Sequence, residues 1–226
     1  MELDSKVRLL SKVPVLSHLK TEELEQLAES AHLRRSPRFN FIFMPDEPAE
    51  YVYVLVRGKV KIGTFAPDGR EVIKEILSSG NLFGDLALAG ETSRSEYAQN
   101  LHDEAEFLCI KVTDFQAAMQ RNQRLIFACM RHLSQRLQRV EERLTKLVIK
   151  DARERIIEFI TDTASKEGRP VGLETLVKHQ LTQQDIASLT GTSRQTVTSV
   201  FNDLRKMNLI HFNRNTILIR DMGKLA

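Results

Sequence analysis

Residues 182–204 read Thr-Gln-Gln-Asp-Ile-Ala-Ser-Leu-Thr-Gly-Thr-Ser-Arg-Gln-Thr-Val-Thr-Ser-Val-Phe-Asn-Asp-Leu, and this stretch carries two helix starts with a turn between them. Thr182 opens a capping box with Asp185, and the acid lies near the positive end of the helix dipole. A short helix through Leu189 follows, Gly191 supplies the turn, and Ser193 can cap a second helix. On that second helix Val197, Val200, Phe201 and Leu204 form one apolar stripe at helical spacing. The opposite face is polar: Gln195, Thr198, Ser199 and Asn202 recur at i, i+3, i+4 and i+7, with Arg194 at the N-terminal end, where a recognition helix meets base edges. Ile210-His-Phe212 and Thr216-Ile-Leu-Ile219 flank Asn213-Arg-Asn215, a hairpin that serves as a wing. A polar helix face alone is usually solvated surface; two capped helices, a Gly turn and a following hairpin together predict DNA binding.

The charge distribution agrees. Residues 1–149 carry 21 Lys+Arg against 21 Asp+Glu, whereas residues 150–226 carry 12 against 9, so the whole excess of +3 is C-terminal. An excess of three is small, but its position suits a nucleic-acid-binding domain.

Upstream of this segment the period changes. Ile126, Met130, Leu133, Leu137, Val140, Leu144 and Leu147 are separated alternately by four and three residues, a heptad seam held through three repeats with Arg, Gln and Glu on its flanks. A helix lying on its own domain needs a broader stripe, so the narrow seam predicts two such helices packed against each other. The next position in register is the charged Asp151, beyond which Ile156, Ile157, Phe159 and Ile160 begin a new helix; the break predicts a hinge.

From Phe39 to Val112 the pattern is one of short strands: Phe39–Met44, Tyr51–Val56, Val60–Phe65, Glu71–Leu77 and Phe107–Val112, rich in β-branched and aromatic residues. Pro45, Pro48, Gly58, Pro67-Asp-Gly69 and Gly80 punctuate them, as expected of an antiparallel roll or barrel. Thr21–Leu33 has helical spacing, with Thr21 as its expected cap. The fold predicted is therefore α+β: an antiparallel β-roll over 1–122, a dimerisation helix over 123–150 and a winged helix-turn-helix over 151–226.

Several function classes are excluded or disfavoured by composition. No apolar run approaches the roughly 20 residues needed to span a bilayer, and Met1–Lys12 shows no export signal, so a cytoplasmic location is expected. Cys109 and Cys129 form no C-x-x-C pair, which disfavours a disulfide scaffold or metal knuckle. His18, His32, His102, His132, His179 and His211 show no short ligand spacing, and no metal is expected. No nucleophile motif or paired carboxylates with a catalytic setting are evident, and the enzyme reading is rejected.

Three stretches together resemble the family of the cyclic-AMP receptor protein and the fumarate and nitrate reduction regulator, over essentially the whole chain. Arg57-Gly58 through Asn81-Leu-Phe-Gly84-Asp85-Leu86-Ala-Leu88 to Arg94-Ser95 resembles the family's phosphate-binding cassette. Gln135–Leu147 resembles its dimer helix, and Thr192–Val197 its recognition helix. The resemblance implies a homodimeric transcription regulator bound to palindromic double-stranded DNA through Thr182, Ser193, Arg194, Gln195, Thr198, Ser199 and Asn202, with RNA polymerase as a partner if it activates. It also implies a small-molecule effector at Gly84, Asp85, Leu86, Arg94, Ser95, Val140 and Glu141. Gly84 can bring backbone close to a phosphate, and Arg94 with Ser95 offers charge-assisted and hydroxyl bonds.

Some residues depart from the family pattern. Asp85 stands where cyclic-AMP binders have Glu, Glu96 replaces a small residue, and Val140-Glu141 replaces the Thr-Ser pair that touches the purine. Cyclic AMP is therefore not the expected switch. The N-terminal cysteine cluster of oxygen-sensing members is missing, so no iron-sulfur cofactor is expected. A competing reading, a cyclic-nucleotide-binding regulatory module without DNA, leaves residues 181–219 unexplained.

Overall fold

The computed structural model describes residues 2–101 and 103–225; Met1, His102 and Ala226 lie outside the described residues. The chain packs as two compact units, 1–138 and 139–226. The division falls within one long helix, after Gln138.

The first unit begins with α1 (Leu3–Leu10) and α2 (Thr21–Ser30). Thr21 is the first helical residue of α2, not its cap: Lys20 precedes it, and its N–H donates to the Glu23 carboxylate at 2.8 Å. The helix stops at Ser30, short of the expected Leu33, because His32–Pro37 leaves it to form β1. Seven more strands follow: β2 (Phe41–Phe43), β3 (Tyr51–Arg57), β4 (Lys59–Phe65), β5 (Glu71–Ser78), β6 (Leu82–Phe83), β7 (Tyr97–Asn100) and β8 (Glu104–Lys111). They make two four-stranded antiparallel sheets, ordered β1-β8-β3-β6 and β2-β7-β4-β5, so the expected roll is present. Phe107 and Cys109 on β8 pack inside it with Phe43, Tyr53, Val60 and Phe83. Their chain neighbours Leu108 and Ile110 point outward into a second core with Leu10, Leu16, Leu27, Phe115 and Leu125. Alternate residues of a strand face opposite sides, so a strand covered on both faces must be apolar throughout. Each large side chain so buried contributes about 1.5–3 kcal/mol.

Two further helices complete this side, α3 (Val112–Arg121) and α4 (Gln123–Ile149). The early turns of α4 bury Leu125, Ala128 and Cys129 against the first unit. The heptad stripe lies elsewhere on the helix: Met130, Leu137, Val140 and Leu144 are exposed, together with Phe127, Val148 and Ile149. Both cysteines are buried and reduced, with thiols pushed up to about 11 by burial.

The second unit holds the end of α4, then α5 (Ala152–Glu167), β9 (Arg169–Val171), β10 (Glu174–Lys178), α6 (Gln183–Thr190), α7 (Arg194–Lys206), β11 (Ile210–Phe212), β12 (Thr216–Ile219) and α8 (Met222–Leu225). Asp151 ends the long helix by capping the next one: its carboxylate accepts the Glu154 N–H at 2.8 Å, and Glu154 accepts the Asp151 N–H at 2.8 Å. The wing strands belong to a four-stranded antiparallel sheet, β11-β12-β10-β9. Ile156 and Ile160 of α5 join Val177, Ile217 and Ile219 in the buried core of this unit.

Candidate DNA-reading face and sensor site

The helix-turn-helix is built from local bonds that the residue types dictate. The Thr182 hydroxyl oxygen accepts the Asp185 N–H at 3.1 Å and the Asp185 carboxylate accepts the Thr182 N–H at 2.7 Å, closing the capping box at the start of α6. Gly191 takes a left-handed φ of 63°, a region that costs other residues about 1–2 kcal/mol. A side chain there would also strike Leu147, whose Cδ2 lies 2.5 Å from an ideal Cβ. Ser193 then caps α7, its hydroxyl oxygen accepting the Thr196 N–H at 3.1 Å.

Val197, Val200, Phe201 and Leu204 are buried beneath α7. On its other side Ser193, Arg194, Gln195, Thr198, Ser199 and Asn202 line one shallow depression. Arg194, Gln195 and Ser199 are exposed, whereas Thr198 and Asn202 are half-buried. The Thr198 hydroxyl is 2.6 Å from the Gln183 amide oxygen and 2.9 Å from the Arg194 carbonyl, so it ties α7 to α6. The Arg205 guanidinium donates to Asn202 at 3.0 Å and sits over the Phe212 ring. Phe212 meets Phe201 edge to face at 5.1 Å, fastening the wing to α7. At the wing tip Asn213 accepts the N–H groups of Asn215 and Thr216, both at 3.0 Å, leaving Arg214 exposed.

Within this unit the end of α4 lies against the same motif. Arg143 donates to the Ser188 carbonyl at 2.8 Å, and Leu147 packs on the Gly191 turn while remaining 40% exposed. Of the seven seam positions, Leu147 therefore has a contact inside its own unit.

In the first unit Gly84, with a left-handed φ of 67°, leads into a 3-10 turn over Asp85–Ala89. This brings Gly84, Asp85 and Leu86 together with Arg94 and Ser95, but the donors turn inward. The Arg94 guanidinium donates to the Gly84 carbonyl at 2.9 Å and to the Tyr51 carbonyl, and lies 4.5 Å over the Phe43 ring. Phe43, Tyr53 and Phe83 stack beside it. Ser95 donates through both its N–H and its hydroxyl to Glu91, at 3.0 and 2.6 Å.

Four residues that sequence reasoning left out complete the site. Arg136 of α4 donates to Asp85 at 3.2 Å and to Glu96 at 3.0 Å, and its Nε is 3.3 Å from Glu75. Lys74 donates to Glu96 at 3.1 Å, and the His132 Nε2 lies 3.2 Å from Asp85. Burial pushes the Asp85 pKa up, but the His132 hydrogen bond and the Arg136 charge outweigh it and hold the carboxyl below its ordinary value. The available signal was spacing: Leu125, Cys129, His132 and Arg136 share one helical stripe, and polar residues on a buried stripe need partners. Val140 and Glu141 lie further along α4, both exposed, on the portion belonging to the second unit.

Comparison with known proteins places two families on the chain in order: a cyclic nucleotide-binding domain over residues 33–122 and a Crp-like helix-turn-helix domain over 154–226. A CRP-like cAMP-activated global transcriptional regulator of Mycobacterium tuberculosis is 27% identical over 96% of this chain and 97% of its own length. The chain belongs to the CRP/FNR family. A global nitrogen regulator of Nostoc is 29% identical over 79% of this chain and 80% of its own. Among solved structures, the c-di-GMP responsive global regulator CLP of Xanthomonas campestris superposes with a TM-score of 0.76 at 23% identity, covering 88% of this chain and 99% of that one. This CRP/FNR protein is thus a DNA-binding transcription regulator, and the reading as a nucleotide-binding module without DNA is set aside by its helix-turn-helix match.

Proposed function

We propose that the chain acts in the cytoplasm as a homodimer that reads a palindromic DNA site, under a β-roll that does not use cyclic AMP as its switch. Its working parts are the roll over 1–122, the dimerisation helix over 123–150 and the winged domain over 151–226. The observation that carries the reading is the exposed polar face of α7, headed by Arg194. An arginine at this position can bond guanine through both N7 and O6, while Gln195 and Ser199 read neighbouring bases and Ser193, Thr182, Thr198 and Asn202 position the helix. Lys206 and Arg214 suit phosphate contacts.

The second support is the apolar stripe of α4. Ile126, Met130, Leu133, Leu137, Val140, Leu144 and Leu147 form a seam that suits a second copy, and two linked readers match half-sites about 34 Å apart. If the protein activates transcription, RNA polymerase is a further partner. Effectors named for its relatives differ, cAMP in the mycobacterial protein and c-di-GMP in the Xanthomonas one. Here Glu96 and Glu141 bring negative charge to the cassette and the dimer helix, and Val140 has no hydrogen-bonding side chain for a purine. The test is selection of binding sites from random DNA, followed by calorimetric titration of cyclic AMP with operator binding measured in parallel. A palindromic consensus bound without the nucleotide supports the reading; micromolar cyclic-AMP affinity with a large gain in DNA affinity overturns it.

A further inference from the structure

The Glu96 carboxylate is the most enclosed acid of the first unit's polar cluster, with a side chain only 2% exposed. It immediately precedes β7 and meets two cations from different elements, Lys74 of β5 and Arg136 of α4, at 3.1 and 3.0 Å. Arg136 is in turn shared out completely along its fork. Its Nη2 faces Glu96, its Nη1 faces Asp85 and its Nε faces Glu75, so a guanidinium that could hold a phosphate bidentately is held by three carboxylates. The other side-chain donors of the cassette are largely engaged too, the buried Arg94 Nε excepted. Arg94 donates to the carbonyls of Gly84 and Tyr51, and Ser95 donates to Glu91. An incoming phosphate that draws on Lys74 and Arg136 must displace Glu96 from them, which leaves a buried carboxylate without a partner, an arrangement that proteins avoid.

We infer that Glu96 is a built-in substitute for an anionic effector: it joins Lys74 of β5 to Arg136 of α4 where a ligand phosphate would otherwise do so, and it closes the cassette to phosphate-bearing small molecules. The inference rests on the reading that cyclic AMP is not the switch and deepens it by naming the group that takes its place. It also assigns Glu96 a role in fixing α4 on the roll.

The experiment uses the full chain and two variants, Glu96→Ala and Glu96→Gln, with inorganic phosphate and cyclic AMP as probes. Melting midpoints are followed against probe concentration at constant ionic strength, with chloride as the reference salt. Glu96→Ala is expected to melt lower than the wild type without a probe and to regain stability saturably with phosphate or cyclic AMP, by several degrees more than the wild type does. Glu96→Gln keeps the side-chain volume while removing the charge, so it should show the same response in smaller measure and serves if the alanine variant does not fold. A wild type that gains as much from either probe as the variants do, or folded variants that gain no more than the wild type, overturns the inference. Operator binding by the wild type, with and without cyclic AMP, is scored separately. Its dependence on cyclic AMP would sink the parent reading, whereas the variants' response to phosphate decides the role of Glu96.

Discussion

Replacing Leu137 and Leu144 together by Glu tests the dimer directly, because both side chains are largely free in the single chain, 58% and 62% exposed. Fully burying a leucine is worth about 1.5–3 kcal/mol. With some three-fifths of each side chain still to be covered, a partner helix would supply about 1–2 kcal/mol per leucine. Two positions on two copies make four such burials, so the double variant should forfeit about 4–7 kcal/mol, or about a thousand- to hundred-thousand-fold in the dissociation constant. Unpaired carboxylates in an apolar seam would raise the cost further. Glutamate is a good helix former, so the helical signal in circular dichroism should be retained, separating loss of association from loss of folding. Light scattering after size-exclusion chromatography, at micromolar protein, should report a dimer for the wild type and a monomer for the variant, and the variant should lose affinity for a palindromic site. A double variant that elutes as a dimer with an unchanged dissociation constant refutes this interface.

Arg194→Ala should cost about 1–3 kcal/mol on the preferred site and relax the choice of base at one position, read by competition between single-base variants of the operator; equal weakening on all sequences would make Arg194 a phosphate contact. Gly191→Ala should destabilise the second unit by at least about 1–2 kcal/mol, given the left-handed backbone and the nearby Leu147. The loss should shrink in a Leu147→Ala background, and a melting curve indistinguishable from wild type would contradict the geometry. Asp85 is held below its ordinary pKa, so its stabilisation is present above its unfolded pKa of about 3.9 and is lost as pH falls through the lower folded value. The melting midpoint of Asp85→Asn should therefore fall less steeply than that of the wild type below about pH 4; parallel curves would remove Asp85 from the account of acid unfolding.

The elements easiest to read in the sequence were those whose stability is local. The Thr182 and Asp185 pair bonds its own turn, and the strands at Tyr51, Val60 and Glu71 carry their β-branched pattern within a few residues. The strand at His32–Pro37 was missed because its residues, two arginines and a proline among them, have no strand signature; it forms by pairing with β8 along Arg34 to Phe107 and its neighbours. The hairpin of β9 and β10 was missed for a similar reason, since Leu176 and Val177 are paired with Leu218 and Ile217 some 40 residues on. In the sensor site, Arg94 and Asp85 were legible as residues, but their partners were not. Arg136 reaches Asp85 across 51 positions, and Arg94 turns to main-chain carbonyls, which no side-chain motif records.

The two stripes of α4 also set the terms on which this helix can change length. Cys129 and Arg136 face the roll while their neighbours Met130 and Leu137 are exposed, so adjacent positions are committed to different surroundings. One residue inserted after Gln138 would turn all that follows by about 100° and advance it by about 1.5 Å. Val140, Leu144 and Leu147 would leave the line of the residues before them. Seven inserted residues would complete nearly two turns and restore the line to within about 20°. Natural variation in the length of this helix should accordingly come in whole heptads, and single-residue insertions or deletions should be among the changes least tolerated anywhere in the chain.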